Sequence, residues 1–288
     1  MPLLNAARAV RRLLDGPVAR PVSPQWTVEH FLSSQGSGFH YGVFATFAQA
    51  RAWLPRSKEF DHAPLVAEYV APRARRIFSY DYPVLLWLLR AFQGGATSVL
   101  DFGGSVGVHF YGYRRHIQVP ANLTWRVVEV PTMAAIGRNL ATTSAATGLS
   151  FTGDLTQALM SSSSDIWMAS DALQYVDAAR PRQLLERCFA RPKHLLLNKL
   201  PLYEGDDFVT TQNIGAGSFA PLQVFNRRRY IEEIQAAGYV LWNKWLVPER
   251  SLYLPGHPER SIPSFTGLYF VERSRLPSNM TPPLYSDL

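Results

Sequence analysis

The spacing of apolar positions changes at Tyr82. Residues 83–92 (PVLLWLLRAF) are almost wholly apolar and predict a buried helix. Pro83 suits its first turn, and Gly94 and Gly95 stop it. A short strand-type run at 97–102 follows, and then a glycine turn at 103–107. The alternation continues with a strand at 123–130, a helix at 132–142, a strand at 149–154, a strand at 165–170, a helix at 179–189 and a strand at 194–199. Strands alternating with helices predict a parallel sheet covered on both faces. The ending differs. A helix at 228–237, capped by Gly238, leads to a strand at 239–245. A loop with Pro248, Pro255, Pro258 and Pro263 separates it from a last strand at 267–271. No helix fits in that loop, so the last two strands are expected to pair antiparallel. The expected class is α/β: a doubly wound, mostly parallel, seven-stranded sheet with a terminal antiparallel pair.

Residues 1–78 read as an N-terminal helical lobe or lid on a domain spanning 79–288. The lobe carries Pro17, Pro21 and Pro24, an aromatic and glycine-rich segment at 37–42, and a helical pattern at 44–51. Leu3, Leu4, Ala7, Val10, Leu13 and Leu14 share one helical face, interrupted by Arg8, Arg11 and Arg12. Such a face docks on its own domain, on a membrane surface or on a second copy of the chain. A homodimer is therefore one expected assembly.

Composition narrows the class. Of 288 residues, 47% are hydrophobic and 18% charged, which is ordinary for a globular domain. No stretch reaches the length of a spanning helix. The single cysteine, Cys188, cannot form an internal disulfide or a thiolate cluster, so a reducing, cytoplasmic setting is expected. No metal-ligand spacing stands out. The net charge is +7, which raises a nucleic-acid partner. The arginines are scattered, however, and their tightest clusters (Arg73, Arg75, Arg76 and Arg227, Arg228, Arg229) are short. A small-molecule partner is the expectation.

Open α/β sheets bind ligands beyond the carboxyl ends of their strands, so the turn after the first predicted strand is the place to look. It reads Asp101-Phe102-Gly103-Gly104-Ser105-Val106-Gly107. Its glycines let a ligand approach the backbone, and the helix that follows offers N–H groups. Asp101 suits a ligand with an ammonium group and would repel a pyrophosphate. Glu129, near the end of the second strand, can accept both hydroxyl hydrogens of a ribose. A dinucleotide fingerprint started at Gly103 would need glycines where Ser105 and Val108 stand, which disfavours a nicotinamide oxidoreductase.

The turn resembles the first motif of class I S-adenosylmethionine (SAM)-dependent methyltransferases, D-x-G-x-G-x-G. Asp101, Gly103 and Gly107 match, and Ser105 replaces the middle glycine beside Gly104. Across residues 37–272 the chain also resembles a group of uncharacterised bacterial methyltransferase-like proteins, through the segment 38–50, the turn at Asp101 and residues 211–213. The resemblance implies S-adenosyl-L-methionine as cofactor. It implies cofactor roles for Asp101, Gly103, Gly104, Ser105, Gly107 and Glu129. It places Asp154, with Leu155, by the adenine and Ser170 where donor meets acceptor. The alternative reading of Asp154 is a helix cap.

Transfer to a hydroxyl benefits from a general base. His109, just after the turn, and Asp171, after the fourth strand, are the two candidates. Tyr80, Tyr82, Gln174, Tyr175, Gln212 and Asn213 are expected to line an aromatic and polar acceptor pocket. The Asn-Pro-Pro-Tyr sequence of many amino-group methyltransferases does not follow the fourth strand, which favours oxygen acceptors. The competing readings are a non-catalytic binding protein on the same fold and an amino-group or nucleic-acid methyltransferase.

Overall fold

The computed structural model describes residues 27–65, 76–161, 163–177 and 180–276. The amphipathic stretch at 3–14 lies outside them. The centre is a seven-stranded sheet built from β2 (Ser98–Phe102), β3 (Thr124–Val128), β4 (Leu149–Thr152), β5 (Ile166–Ser170), β6 (His194–Leu200), β10 (Tyr239–Val247) and β11 (Phe265–Glu272), in the order β10-β11-β6-β5-β2-β3-β4. The neighbours from β6 to β4 are parallel. β11 runs antiparallel to both β6 and β10. This is the mostly parallel, doubly wound seven-stranded sheet expected from the sequence, with β11 inserted antiparallel between β10 and β6.

Strand periodicity divides the core between two faces. Val99, Ile166, Met168 and Leu196 pack into one cluster with α3 (Tyr82–Gln93), α4 (Val108–Tyr113) and α5 (Pro131–Thr143). Leu100, Phe102, Trp167, Ala169, Leu195 and Leu197 pack into another with α6 (Leu155–Ser161), α7 (Pro181–Arg187) and α8 (Arg227–Ala236). Because β2, β5 and β6 are covered on both sides, they read as mostly apolar runs. Cys188 is half-buried, its thiol directed to the Leu185 carbonyl. Among the described residues no helix is long and apolar enough to cross a membrane.

A second sheet is absent from the sequence expectation. It has the order β1-β8-β9-β7, from β1 (His40–Phe44), β7 (Leu202–Tyr203), β8 (Phe208–Gly215) and β9 (Ser218–Asn226). β8 and β9 form a hairpin whose tip, Gly215-Ala216-Gly217, is left-handed throughout (φ 93°, 49° and 73°). Pro221 in β9 argues against a central strand. It is tolerated because β7 reaches only Phe225 and Asn226, leaving that edge of β9 open. β1 pairs with β8. The segment before residue 78 is therefore more than the helical lobe expected: besides α1 (Val28–Leu32) and α2 (Phe47–Trp53) it supplies a strand to a sheet completed by residues beyond 200.

The two sheets meet over the carboxyl ends of the parallel strands. Phe60 packs edge-on against Tyr175, with ring centroids 4.7 Å apart. Asp61 accepts a hydrogen bond from the Thr132 amide at the start of α5 (2.8 Å). Leu65 joins Met133, Ile214 and Ala220 in one apolar cluster.

One close contact tests the antiparallel insertion. A Cβ on Gly267 of β11 would overlap the Trp245 indole of β10. Gly267→Ala should lower unfolding stability by about 1–3 kcal/mol, the usual cost of overpacking, read from urea denaturation. An unshifted midpoint would contradict the packing of β10 on β11.

Candidate active site

The turn between β2 and α4 sits where the strand order reverses. Its backbone is left-handed at alternate positions: Gly103 φ 68°, Ser105 φ 54° and Gly107 φ 93°. A Cβ on Gly103 would overlap Ala172, and one on Gly104 would overlap the Asp101 carboxylate. Ser105 therefore holds a conformation that favours glycine, at a cost of about 1–2 kcal/mol for an L-residue. It has company. Asp171, just beyond β5 (φ 62°), and Lys199, near the end of β6 (φ 59°), are also left-handed. Three adjacent central strands thus end in strained non-glycine residues, a distribution typical of functional sites.

Asp101 lies beneath the turn, fully buried. The expectation that it faces a ligand's ammonium meets a different geometry. Its Oδ2 accepts from the Trp125 indole N–H (3.1 Å) and lies 3.0 Å from His109 Nδ1. A buried carboxylate requires such donors. His109, expected as a base, is engaged here as a support for Asp101.

Glu129 follows β3 and closes on the turn from the side. One carboxylate oxygen accepts from the Ser105 amide (3.0 Å), the other from the Val130 amide (2.8 Å). Burial pushes its pKa up to about 7, against the pull of those two donors. Asp154 caps α6: its Oδ1 accepts from the Gln157 amide at 2.9 Å. It remains exposed, and Leu155, half-buried, starts the helix.

At the end of β5 the acceptor-side candidates separate. Ser170 is buried, 3.4 Å from the Asn198 amide nitrogen, which also donates to the Tyr80 carbonyl (3.1 Å). Asp171 Oδ1 accepts from Gln174 Nε2 (2.7 Å), and its Oδ2 lies 3.4 Å from Arg250 Nη2. The Tyr175 hydroxyl donates to Gln212 Oε1 (2.6 Å). The Lys199 ammonium sits 4.6 Å from the centroid of the Tyr80 ring. Asp171, Gln174, Tyr175, Gln212 and Tyr80 thus form one neighbourhood. Tyr82 does not join it: 65% of its surface is exposed. Asn213 is used internally, donating to the carbonyls of Phe31 (2.7 Å) and Ser33 (3.0 Å) and accepting from the Gly215 amide (3.0 Å).

Three residues join that neighbourhood without a signal in the sequence: His40, Lys199 and Arg250. His40 pairs with Gln212 across β1 and β8. It is 5% exposed, and its Nε2 has no hydrogen-bond partner among the described residues. Burial lowers its pKa to about 4, with Asp171 opposing and Arg250 reinforcing the shift. A separate groove of about 360 Å³ between α6 and α7 involves Met160, Cys188 and Phe189 and none of these groups. The Arg227, Arg228 and Arg229 cluster is paired with Glu204, Glu232 and Asp206.

No protein-family model matches the chain, and neither does any curated protein. Among solved structures, the chain is similar to the mitomycin 7-O-methyltransferase (16% identity, 62% of this chain and 49% of that one, TM-score 0.41). The match spans about half the length of that enzyme. It is also similar to the magnesium protoporphyrin IX methyltransferase of Synechocystis PCC 6803 with bound SAM (15% identity, 66% and 77% coverage, TM-score 0.44). A third is the 1,6-didemethyltoxoflavin-N1-methyltransferase of Burkholderia thailandensis, with bound 1,6-didemethyltoxoflavin and S-adenosylhomocysteine (15% identity, 76% and 92% coverage, TM-score 0.43). The similarity in each case is one of fold.

Two substitutions separate the support of the turn from its strain. Asp101→Ala should cost about 2–4 kcal/mol of stability, since it leaves two buried donors unpaired. Ser105→Gly should leave stability unchanged or raise it by up to about 1 kcal/mol, relief of strain being offset by chain entropy. Chemical denaturation reads both, and a strongly destabilised Ser105→Gly would contradict the left-handed assignment.

Proposed function

We propose that this chain is an enzyme that transfers a methyl group from S-adenosyl-L-methionine to an oxygen of a small-molecule acceptor. The observation that carries the reading is Glu129. Its carboxylate is half-buried beside a left-handed glycine turn, at the carboxyl end of the strand next to β2. It has two backbone donors where a carboxylate can take about four, and its raised pKa marks a charge short of donors. A ribose diol supplies the missing two. The residues present therefore fit the cofactor. Glu129 holds the ribose, Asp154 and Leu155 flank the adenine, and Gly103, Gly104, Ser105, Gly107 and Ser170 border the methionine end. Asp101 acts from below as a positioning residue.

When bound, the cofactor supplies a methyl group on a positively charged sulfonium. The chain's own work is alignment and exclusion of water. The Phe60–Leu65 segment, pinned to Thr132 and packed on Tyr175, covers the strand ends where transfer takes place. The acceptor then lies among Tyr80, Asp171, Gln174, Tyr175 and Gln212. The paired arginines of α8 give no support to a nucleic-acid acceptor.

Glu129 sets a pH signature. Its folded pKa is raised, so the folded chain holds this proton more tightly than the unfolded chain does. Its contribution therefore lowers stability as pH rises from about 4.5 through about 7. A ribose diol favours the ionised form, so cofactor binding should strengthen over the same rise. Calorimetric titration with SAM and S-adenosylhomocysteine should give micromolar affinity at about pH 8 and roughly tenfold weaker binding at about pH 6. Glu129→Ala should lose about 10–100-fold, and Glu129→Gln should flatten the pH dependence. A folded wild-type chain that binds neither compound would overturn the reading.

A further inference from the structure

The acceptor side holds two buried polar atoms that have no partner among the described residues. One is His40 Nε2, on a residue 5% exposed. The other is Gln174 Oε1, on a residue with no exposed surface. The orientation of the Gln174 amide is fixed by its surroundings. Its nitrogen faces two acceptors, Asp171 Oδ1 at 2.7 Å and the Lys199 carbonyl at 3.4 Å, so its oxygen is the atom left over. The His40 ring stands in the field of Asp171 and Arg250. Burial keeps the ring neutral at physiological pH, and with its proton on Nδ1 it presents Nε2 as an acceptor. Gln174 is thus hydrogen-bonded to Asp171, whose own backbone is strained at φ 62°, and His40 stands across from Gln212, the partner of Tyr175. Natural structures rarely leave such atoms unsatisfied, and one account of an exception is a ligand that completes them.

We infer that His40 Nε2 is the general base for the acceptor hydroxyl, that Gln174 Oε1 receives a second donor of the same molecule, and that the acceptor is therefore a small molecule with two neighbouring hydrogen-bond donors, such as a vicinal diol. This rests on the methyl-transfer reading above. The hydroxyl proton passes to His40 Nε2 and then to solvent. The hydroxyl oxygen gains the methyl carbon, and the cofactor sulfur keeps the electron pair of the broken carbon–sulfur bond. Tyr175, whose hydroxyl meets Gln212, the cross-strand partner of His40, packs edge-on against Phe60, so an aromatic diol is a suitable probe.

The test uses the full chain with nitrogen-15 histidine, saturated with S-adenosylhomocysteine, and three probes: catechol, phenol and 1,2-dimethoxybenzene. The His40 ring signals are assigned by their loss in His40→Gln or, if that variant does not fold, in His40→Asn. Catechol should shift the His40 Nε2 resonance saturably. Phenol should bind about tenfold more weakly, the loss of one hydrogen bond, and dimethoxybenzene should leave the resonance in place. Gln174→Met should bring catechol down to the affinity of phenol. Catechol that leaves His40 unmoved, or that binds Gln174→Met as well as wild type, overturns the inference. A chain that binds S-adenosylhomocysteine yet shows no His40 response overturns this inference alone. A chain that takes catechol at His40 but binds neither SAM nor S-adenosylhomocysteine overturns the methyl-transfer reading instead.

Discussion

A carboxylate with no exposed surface stands at the centre of the parallel sheet. Asp101 ends β2 among apolar neighbours, and desolvation would expel it if the Trp125 indole and the His109 ring did not meet it. Those contacts tie β2 to β3 and to the start of α4. They also leave no room above the carboxylate for any residue but glycine at 104. The turn takes its left-handed course between these limits. Ser105 carries its amide to Glu129, and Gly103 makes way for Ala172, the residue after Asp171. The positions of the proposed cofactor crevice and of the proposed acceptor side both follow from this one buried charge.

The acceptor side is built differently. Its groups come from β1, from the ends of β5 and β6, from β8 and from the loop after β10. The second sheet brings them together. Asn213 fastens the β8–β9 hairpin to the segment around Phe31 and Ser33, and Asp61 fastens the same part of the chain to α5. The N-terminal segment is thus fastened to both sheets, with no clean division from the rest of the chain.

Much of the central sheet was legible in the sequence because its inner strands are buried on both faces and so are mostly apolar, their polar residues falling at or near the strand ends. The antiparallel end was legible for a steric reason: a proline-rich loop has no room for a crossover helix. The β8–β9 hairpin was not, because Thr210, Thr211, Gln212 and Asn213 break the apolar pattern and Pro221 speaks against a strand. Asp101 and Glu129 could be picked out by their places at strand ends. No local pattern reveals that Asp101 directs its carboxylate to Trp125 and His109, or that Asn213 serves as a fastening. His40 lay inside a segment read only as part of the lobe. Its partners are contributed by residues 171, 212 and 250, and no local pattern distinguishes a histidine of that kind from one in a packed core.

The most direct measurement is a crystal structure of the chain with S-adenosylhomocysteine. The account predicts the ribose diol on the Glu129 carboxylate, the adenine toward Asp154 and Leu155, and Ser105 still left-handed over an unchanged Asp101–Trp125–His109 contact. A ligand seated elsewhere, with Glu129 bound only to its two backbone amides, would contradict it.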